Sequence, residues 1–99
     1  MELNYDSDRI YINHPQNGNP VAEIFFPEEA DGIHNITHTV VDNNLRGSGI
    51  AGLLTLAVAE KLRKEGKKTR LTCSYAVKWF AEHPEYSDVV ETEPMKRDE

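Results

Sequence analysis

Apolar and polar positions alternate through the first third of the chain and then change period. In Arg9–Asn13 the residues Ile10 and Ile12 fall on one face, and between Val21 and Phe26 the residues Ala22, Ile24 and Phe26 do the same. A period of two marks a half-buried strand. Between these strands, His14-Pro15-Gln16-Asn17-Gly18-Asn19-Pro20 carries an Asn-Gly turn signal. Pro27-Glu28-Glu29-Ala30-Asp31-Gly32 turns the chain again. Ile33 to Val41 is rich in β-branched residues and predicts a third strand, on which His34, Ile36, His38 and Val40 share a face unless a bulge shifts the phase.

Past Ile50 the spacing becomes helical. Ile50, Leu53, Leu54, Ala57, Val58 and Leu62 form one stripe, Glu60, Lys61, Arg63 and Lys64 lie mostly opposite, and Gly66 is a natural stop. Thr69–Cys73 predicts another strand. Ser74 can cap a second helix carrying Tyr75, Ala76, Val77, Trp79 and Phe80, which His83-Pro84 ends. Tyr86 to Val90 reads as a short last strand. The order β-β-β-α-β-α-β belongs to an α/β fold with a mixed, partly antiparallel sheet. Residues 1–90 make one domain, and the charged stretch 91–99 is expected to be a flexible tail.

Composition narrows the function classes. Ninety-nine residues with 38% hydrophobic and 28% charged positions suit a small globular domain. The formal net charge of −6 argues against broad binding to nucleic acid or to an anionic membrane. Any anion site is therefore local. The single cysteine, Cys73, excludes an internal disulfide and suits a reducing compartment. The N-terminal residues lack the pattern of a signal peptide, and no apolar run approaches the ~20 residues of a membrane span. These features point to the cytoplasm.

The chemistry concentrates in Leu45-Arg46-Gly47-Ser48-Gly49-Ile50-Ala51-Gly52, where an extended segment meets the long helix. Amides at a helix start have no intrahelical partner, and the helix dipole adds roughly half a positive charge there. Together they suit phosphate. A Walker A loop would need Gly-Lys-Ser/Thr, but Gly52 is followed by Leu53-Leu54. The dinucleotide fingerprint GxGxxG is literally present over Gly47–Gly52. Its context is wrong, because Val41 lies well before Gly47 and the next strand ends without a carboxylate at Leu71-Thr72-Cys73-Ser74.

Arg46-Gly47-Ser48-Gly49-Ile50-Ala51 instead resembles the R/Q-x-x-G-x-G/A pyrophosphate loop of the GCN5-related N-acetyltransferase (GNAT) superfamily. His38-Thr39-Val40-Val41 before it and Leu71-Thr72-Cys73-Ser74-Tyr75 after it are similar to a subfamily of very small, single-domain GNAT-like proteins. The resemblance covers roughly residues 5 to 90 and implies a compact acyl-CoA N-acyltransferase fold. It implies acetyl-CoA as cosubstrate. The amides of Gly47, Ser48, Gly49, Ile50 and Ala51 would hold the pyrophosphate and Arg46 would flank it. Backbone of His38 to Val41 would pair with the pantetheine arm, and an N–H freed near Val40 or Val41 would polarise the thioester. Larger members carry two helices after their first strand that shape the acceptor pocket. This chain goes directly into a hairpin, so the acceptor, an unidentified amine or protein, would meet an open site.

Cys73 adds a second option. It ends a strand at a helix start, an environment that favours thiolate. It could contact the acetyl group and be transiently acylated, with His38 on a neighbouring strand as base and Tyr75 as proton donor. The bland alternative is a small core cysteine. His34 and His38 share a strand face without a third ligand, so no metal site is expected. Lys61, Arg63, Lys64, Lys67, Lys68 and Arg70 read as a solvated face. The expected function is acetyl transfer by a monomer or weak dimer. The alternatives are a non-catalytic acetyl-CoA-binding or sensing module, and a plain interaction domain.

Overall fold

The computed structural model describes residues 2–91, so the expected tail lies outside the described residues apart from Glu91. The first strands are β1 (Asn4–Tyr5), β2 (Arg9–Asn13) and β3 (Pro20–Phe25), followed by β4 (Glu28–Ala30), β5 (Ile33–Ile36) and β6 (His38–Val41). A 3₁₀ turn over Asn43–Leu45 leads to α1 (Ile50–Glu65), then β7 (Lys68–Leu71), α2 (Ser74–Glu82) and a second 3₁₀ segment over Pro84–Val89. The strands form two sheets, ordered β1-β2-β3-β6 and β4-β5-β7. Within the first every pairing is antiparallel, whereas β5 and β7 run parallel, which makes the architecture the mixed α/β one expected.

The alternation in β2 and β3 has the predicted consequence. Ile10, Ile12, Ala22, Ile24 and Phe26 are buried and pack beneath Ile50, Leu54, Val58 and Leu62 of α1. The opposite face of the sheet, with Arg9, Tyr11, Glu23 and Phe25, stays half exposed. Four points of the sequence reading need correction. The turn at Pro27–Gly32 contains a short strand, because Glu28–Ala30 pairs with β5. Tyr86 to Val89 belong to a 3₁₀ segment rather than a strand, and only Val90 beyond it reaches a strand, through a single parallel bridge to Thr69. Proline at the start of that segment removes a donor and favours the helical turn. Asn4–Tyr5 forms an additional edge strand against β2.

The fourth correction concerns α1. Leu53 is 43% exposed, while Thr55 and Ala59 are fully buried. The buried stripe is rotated toward α2 and β7, because α1 packs against these as well as against the sheet. Thr55 is tolerated there because its hydroxyl donates to the Ala51 carbonyl at 2.8 Å. Gly66 caps the helix as expected, donating to Arg63 and Leu62 carbonyls. No helix among the described residues is long and apolar enough to cross a membrane.

Candidate functional site

One irregularity creates the site. The single extended segment Ile33–Val41 serves both sheets, and it changes sheet at Thr37. Thr37 N–H donates to the Phe25 carbonyl at 3.0 Å although Phe25 is already opposite His38, so two residues face one across a β-bulge. The bulge reverses the alternation. His34 and Ile36 are buried, but His38 and Val40 point outward, and Val40 is 52% exposed. The four residues expected to share a face are thus split into two pairs.

Past the bulge, β6 has a neighbour on one side only. Asp42 N–H donates to the Val21 carbonyl at 2.8 Å, which fixes the phase of the β3–β6 ladder. Antiparallel pairs alternate between bonded and non-bonded. His38 and Val40 therefore pair with β3, and the amides and carbonyls of Thr39 and Val41 face the opposite, open edge. The freed N–H anticipated near Val40 or Val41 belongs to Thr39 and Val41. On the other flank, Thr72 and Cys73 both donate to the Ile36 carbonyl, at 3.1 and 3.0 Å. There the chain leaves the sheet and starts α2. The two sheets splay apart, and the gap is crossed by a contact of 3.6 Å between Thr39 Oγ1 and Cys73 Sγ.

The glycine loop closes one end of this gap. Gly47 and Gly49 have φ of 81° and 87°, a region that only glycine enters without strain, and a Cβ on either would meet nothing within 4 Å. Backbone shape, not crowding, is what requires glycine there. Gly49 is the N-cap of α1 and supplies no side-chain cap. Ser48 N–H and its hydroxyl both donate to the Leu45 carbonyl, so Ser48 is occupied within the protein, contrary to its expected part in the anion site. The amides of Gly47, Gly49, Ile50, Ala51 and Gly52 have no backbone partner among the described residues. Arg46 is exposed beside them.

Thr39, Val41, Leu45, Arg46, Gly47, Gly49, Ile50, Ala51, Gly52 and Tyr75 line a cavity of about 420 Å³. Of the residues expected at the cofactor, Val40 and Ser48 do not line it. Leu45 and Gly52 line it although neither was named as a cofactor residue, and Thr39, expected there through its backbone, lines it as well. The signal for Gly52 lies in α2: a Cβ there would stand 3.3 Å from Tyr75 Oη and 3.6 Å from Trp79 Nε1, so glycine is what lets the helices approach. Tyr75 overhangs the helix start, and burial, followed by the Glu82 charge and Cys73, pushes its phenol above the usual range. It stays protonated at neutral pH.

His38 and Cys73 are not brought together. Thr39 projects inward to the sulfur, so His38 projects to the other face, where its Nδ1 meets Thr37 Oγ1 at 2.9 Å and its ring stands edge-on to Phe25. Cys73 itself is partly buried at the N-cap of α2. Five members of the basic run are engaged in ion pairs and hydrogen bonds: Lys61 and Lys67 with Glu65, Arg63 with Asp88, Lys68 with the Asp88 carbonyl, and Arg70 with Glu29. No metal-binding group of three or more side chains occurs among the described residues.

Known proteins resemble this arrangement. A family model described as GCN5-related N-acetyl-transferase matches residues 9–89. Among solved structures, an NMR structure from Staphylococcus aureus, described as a GCN5-like N-acetyltransferase, is 27% identical with a TM-score of 0.73, covering 98% of this chain and 96% of that one. A Trypanosoma brucei acetyltransferase is 18% identical with a TM-score of 0.59, covering 92% of this chain and 67% of that one. Glucosamine-6-phosphate N-acetyltransferase from Arabidopsis thaliana is 15% identical with a TM-score of 0.54, covering 92% and 64%. The latter two share the fold. No curated protein matches the chain significantly.

Proposed function

The chain belongs to the GCN5-related N-acetyltransferase family, and from that membership we propose that it binds acetyl-CoA in the splayed cavity and transfers the acetyl group to an amine. The observation that carries this reading is the continuity of the cavity. Unpartnered amides and an uncapped helix start lie at one end, and Thr39 and Val41 on the open edge of β6 form a wall; Cys73 does not line the cavity but stands behind Thr39, 3.6 Å from its hydroxyl.

Each part has a physical task. The amides of Gly47, Gly49, Ile50 and Ala51 hold the pyrophosphate, helped by the α1 dipole and Arg46. The pantetheine arm adds to the free edge of β6, pairing with main-chain groups of Thr39 and Val41. In direct transfer the amine nitrogen attacks the thioester carbonyl, the C–S bond breaks, and the CoA thiolate takes a proton, for which the Tyr75 phenol is placed. In a two-step variant the Cys73 thiolate first displaces CoA, forming an S-acetyl bond that the amine then breaks. His38 serves neither Cys73 nor the leaving group. On the outer face it is a base available to an arriving amine. We place the whole site within residues 1–90 and the protein in the cytoplasm.

Calorimetric titration with acetyl-CoA, CoA and NAD tests the binding reading. Acetyl-CoA and CoA are expected to bind at one site and NAD not at all. Equal binding of all three, or none, overturns it. Intact-protein mass spectrometry tests the two-step variant: an acetyl adduct of the parent should vanish in Cys73→Ala.

A further inference from the structure

One cluster on the outer face plays no part in the cofactor site. Arg70 Nη1 donates to Glu29 Oε1 at 3.1 Å, Asn35 Nδ2 donates to Glu29 Oε2 at 2.9 Å, and Thr72 Oγ1 donates to Asn35 Oδ1 at 2.9 Å. Asn35 is only 8% exposed, whereas Thr72 is exposed. The direction of every link is fixed by chemistry. The Glu29 carboxylate can only accept, and the Asn35 amide, then Arg70, hold it below its usual range. Asn35 must therefore turn its NH₂ to Glu29 and its carbonyl to Thr72. The single hydroxyl proton of Thr72 is then engaged, and its lone pairs remain for an outside donor. Successive bonds polarise one another, which strengthens Thr72 Oγ1 as an acceptor. Thr72 is the residue before Cys73, on the outer side of the chain at the mouth of the splay.

We propose that Thr72 Oγ1 is the specificity-determining contact for the acetyl acceptor, receiving an N–H of a primary alkylamine or its ammonium form. The proposal rests on the acetyl-CoA reading and adds the side chain that receives and selects the acceptor. A group with lone pairs but no free proton selects donors and rejects carboxylates and phosphates. Charged donors are favoured over neutral ones. The amine can come from a small free molecule or from a lysine side chain, and both offer the same chemistry.

The test uses the ¹⁵N-labelled full chain, with and without CoA, titrated with n-butylamine hydrochloride, with a short lysine-containing peptide, and with butyrate. Saturable shifts of the Thr72 amide and the Asn35 side-chain NH₂ are expected with the amines and not with butyrate. The arm that binds more tightly identifies the source. Thr72→Val is expected to weaken amine binding by about tenfold, as for one lost bond to a charged donor, with Thr72→Ser restoring it. CoA affinity should be equal in all three proteins. The proposal is overturned if the amines shift neither group, or if Thr72→Val binds them as the parent does. Normal CoA binding with no amine response removes the amine subsite alone. Amine shifts in a protein that ignores CoA remove the cofactor reading alone.

Discussion

Gly49 concentrates the argument at the scale of a single residue. Its φ of 87° costs any L side chain about 1–2 kcal/mol, and the space around its Cβ direction is empty. Gly49→Ala and Gly49→Glu therefore carry the same backbone strain and differ in what they project toward the anion. Gly49→Ala is expected to retain acetyl-CoA binding within about tenfold, and Gly49→Glu to abolish it, with both still folded by circular dichroism. Equal loss in both variants would assign the glycine to loop shape alone. The loop glycines were legible in the sequence because positive φ selects for them. The backbone of Thr39 was legible too, but its side-chain contact with the Cys73 sulfur at 3.6 Å was not, because it joins residues far apart in sequence. His38 falls under the exception the alternation allowed for: a bulge at Thr37 shifts the phase, and spacing alone does not say that the bulge is there.

Among the elements, α1 offers the sharpest test of packing. Period alone assigned Leu53 and Leu54 to one stripe, yet Leu54 is 0% and Leu53 43% exposed. Leu54→Ala should cost about 2.7–5 kcal/mol and Leu53→Ala less than about 1 kcal/mol, read from denaturant midpoints at unchanged slope. Similar costs at both positions would return the helix to the orientation its stripe suggests. Hydrophobic period locates a helix but not its second neighbour: the contact with α2 rotates the buried face toward Thr55 and Ala59. The same limit explains the last segment. Tyr86–Val90 has strand-like composition, but its aromatic ring packs with Trp79 and its hydroxyl donates to Glu60, which ties it to helices rather than to a ladder. The β2–β3 hairpin was readable throughout, since its inward residues meet one layer only.

For the molecule as a whole, stability should follow its surface carboxylates. The Gly32 amide holds Glu28 below the usual carboxylate range, the Asn35 amide and then Arg70 do so for Glu29, Lys61 for Glu65, and Arg63 for Asp88. A carboxylate whose folded pKa is depressed binds its proton more readily when unfolded. Its contribution is complete above the unfolded value, near 4.5 for glutamate, and is lost as pH falls through the folded one. Denaturant midpoints are expected to be level from neutrality to about pH 5 and to decline below about 4.5. A rise on acidification would contradict these pairings. The mixed α/β class and the anion loop could be read from the chain because both depend on local spacing. The outer relay of Glu29, Asn35 and Thr72 could not, since it joins residues from three separate segments.

The uncovered side of the sheet bears on how such an enzyme would keep time. A lid that must open and shut sets the pace of many catalysts and shields a reactive ester from solvent. Among the described residues no helix closes over Val40, Phe25 or Thr72, so arrival and departure need no hinge. The same openness admits bulk water to an activated acyl group, and a slow idle loss of thioester in acceptor-free buffer is the expected trade for that freedom.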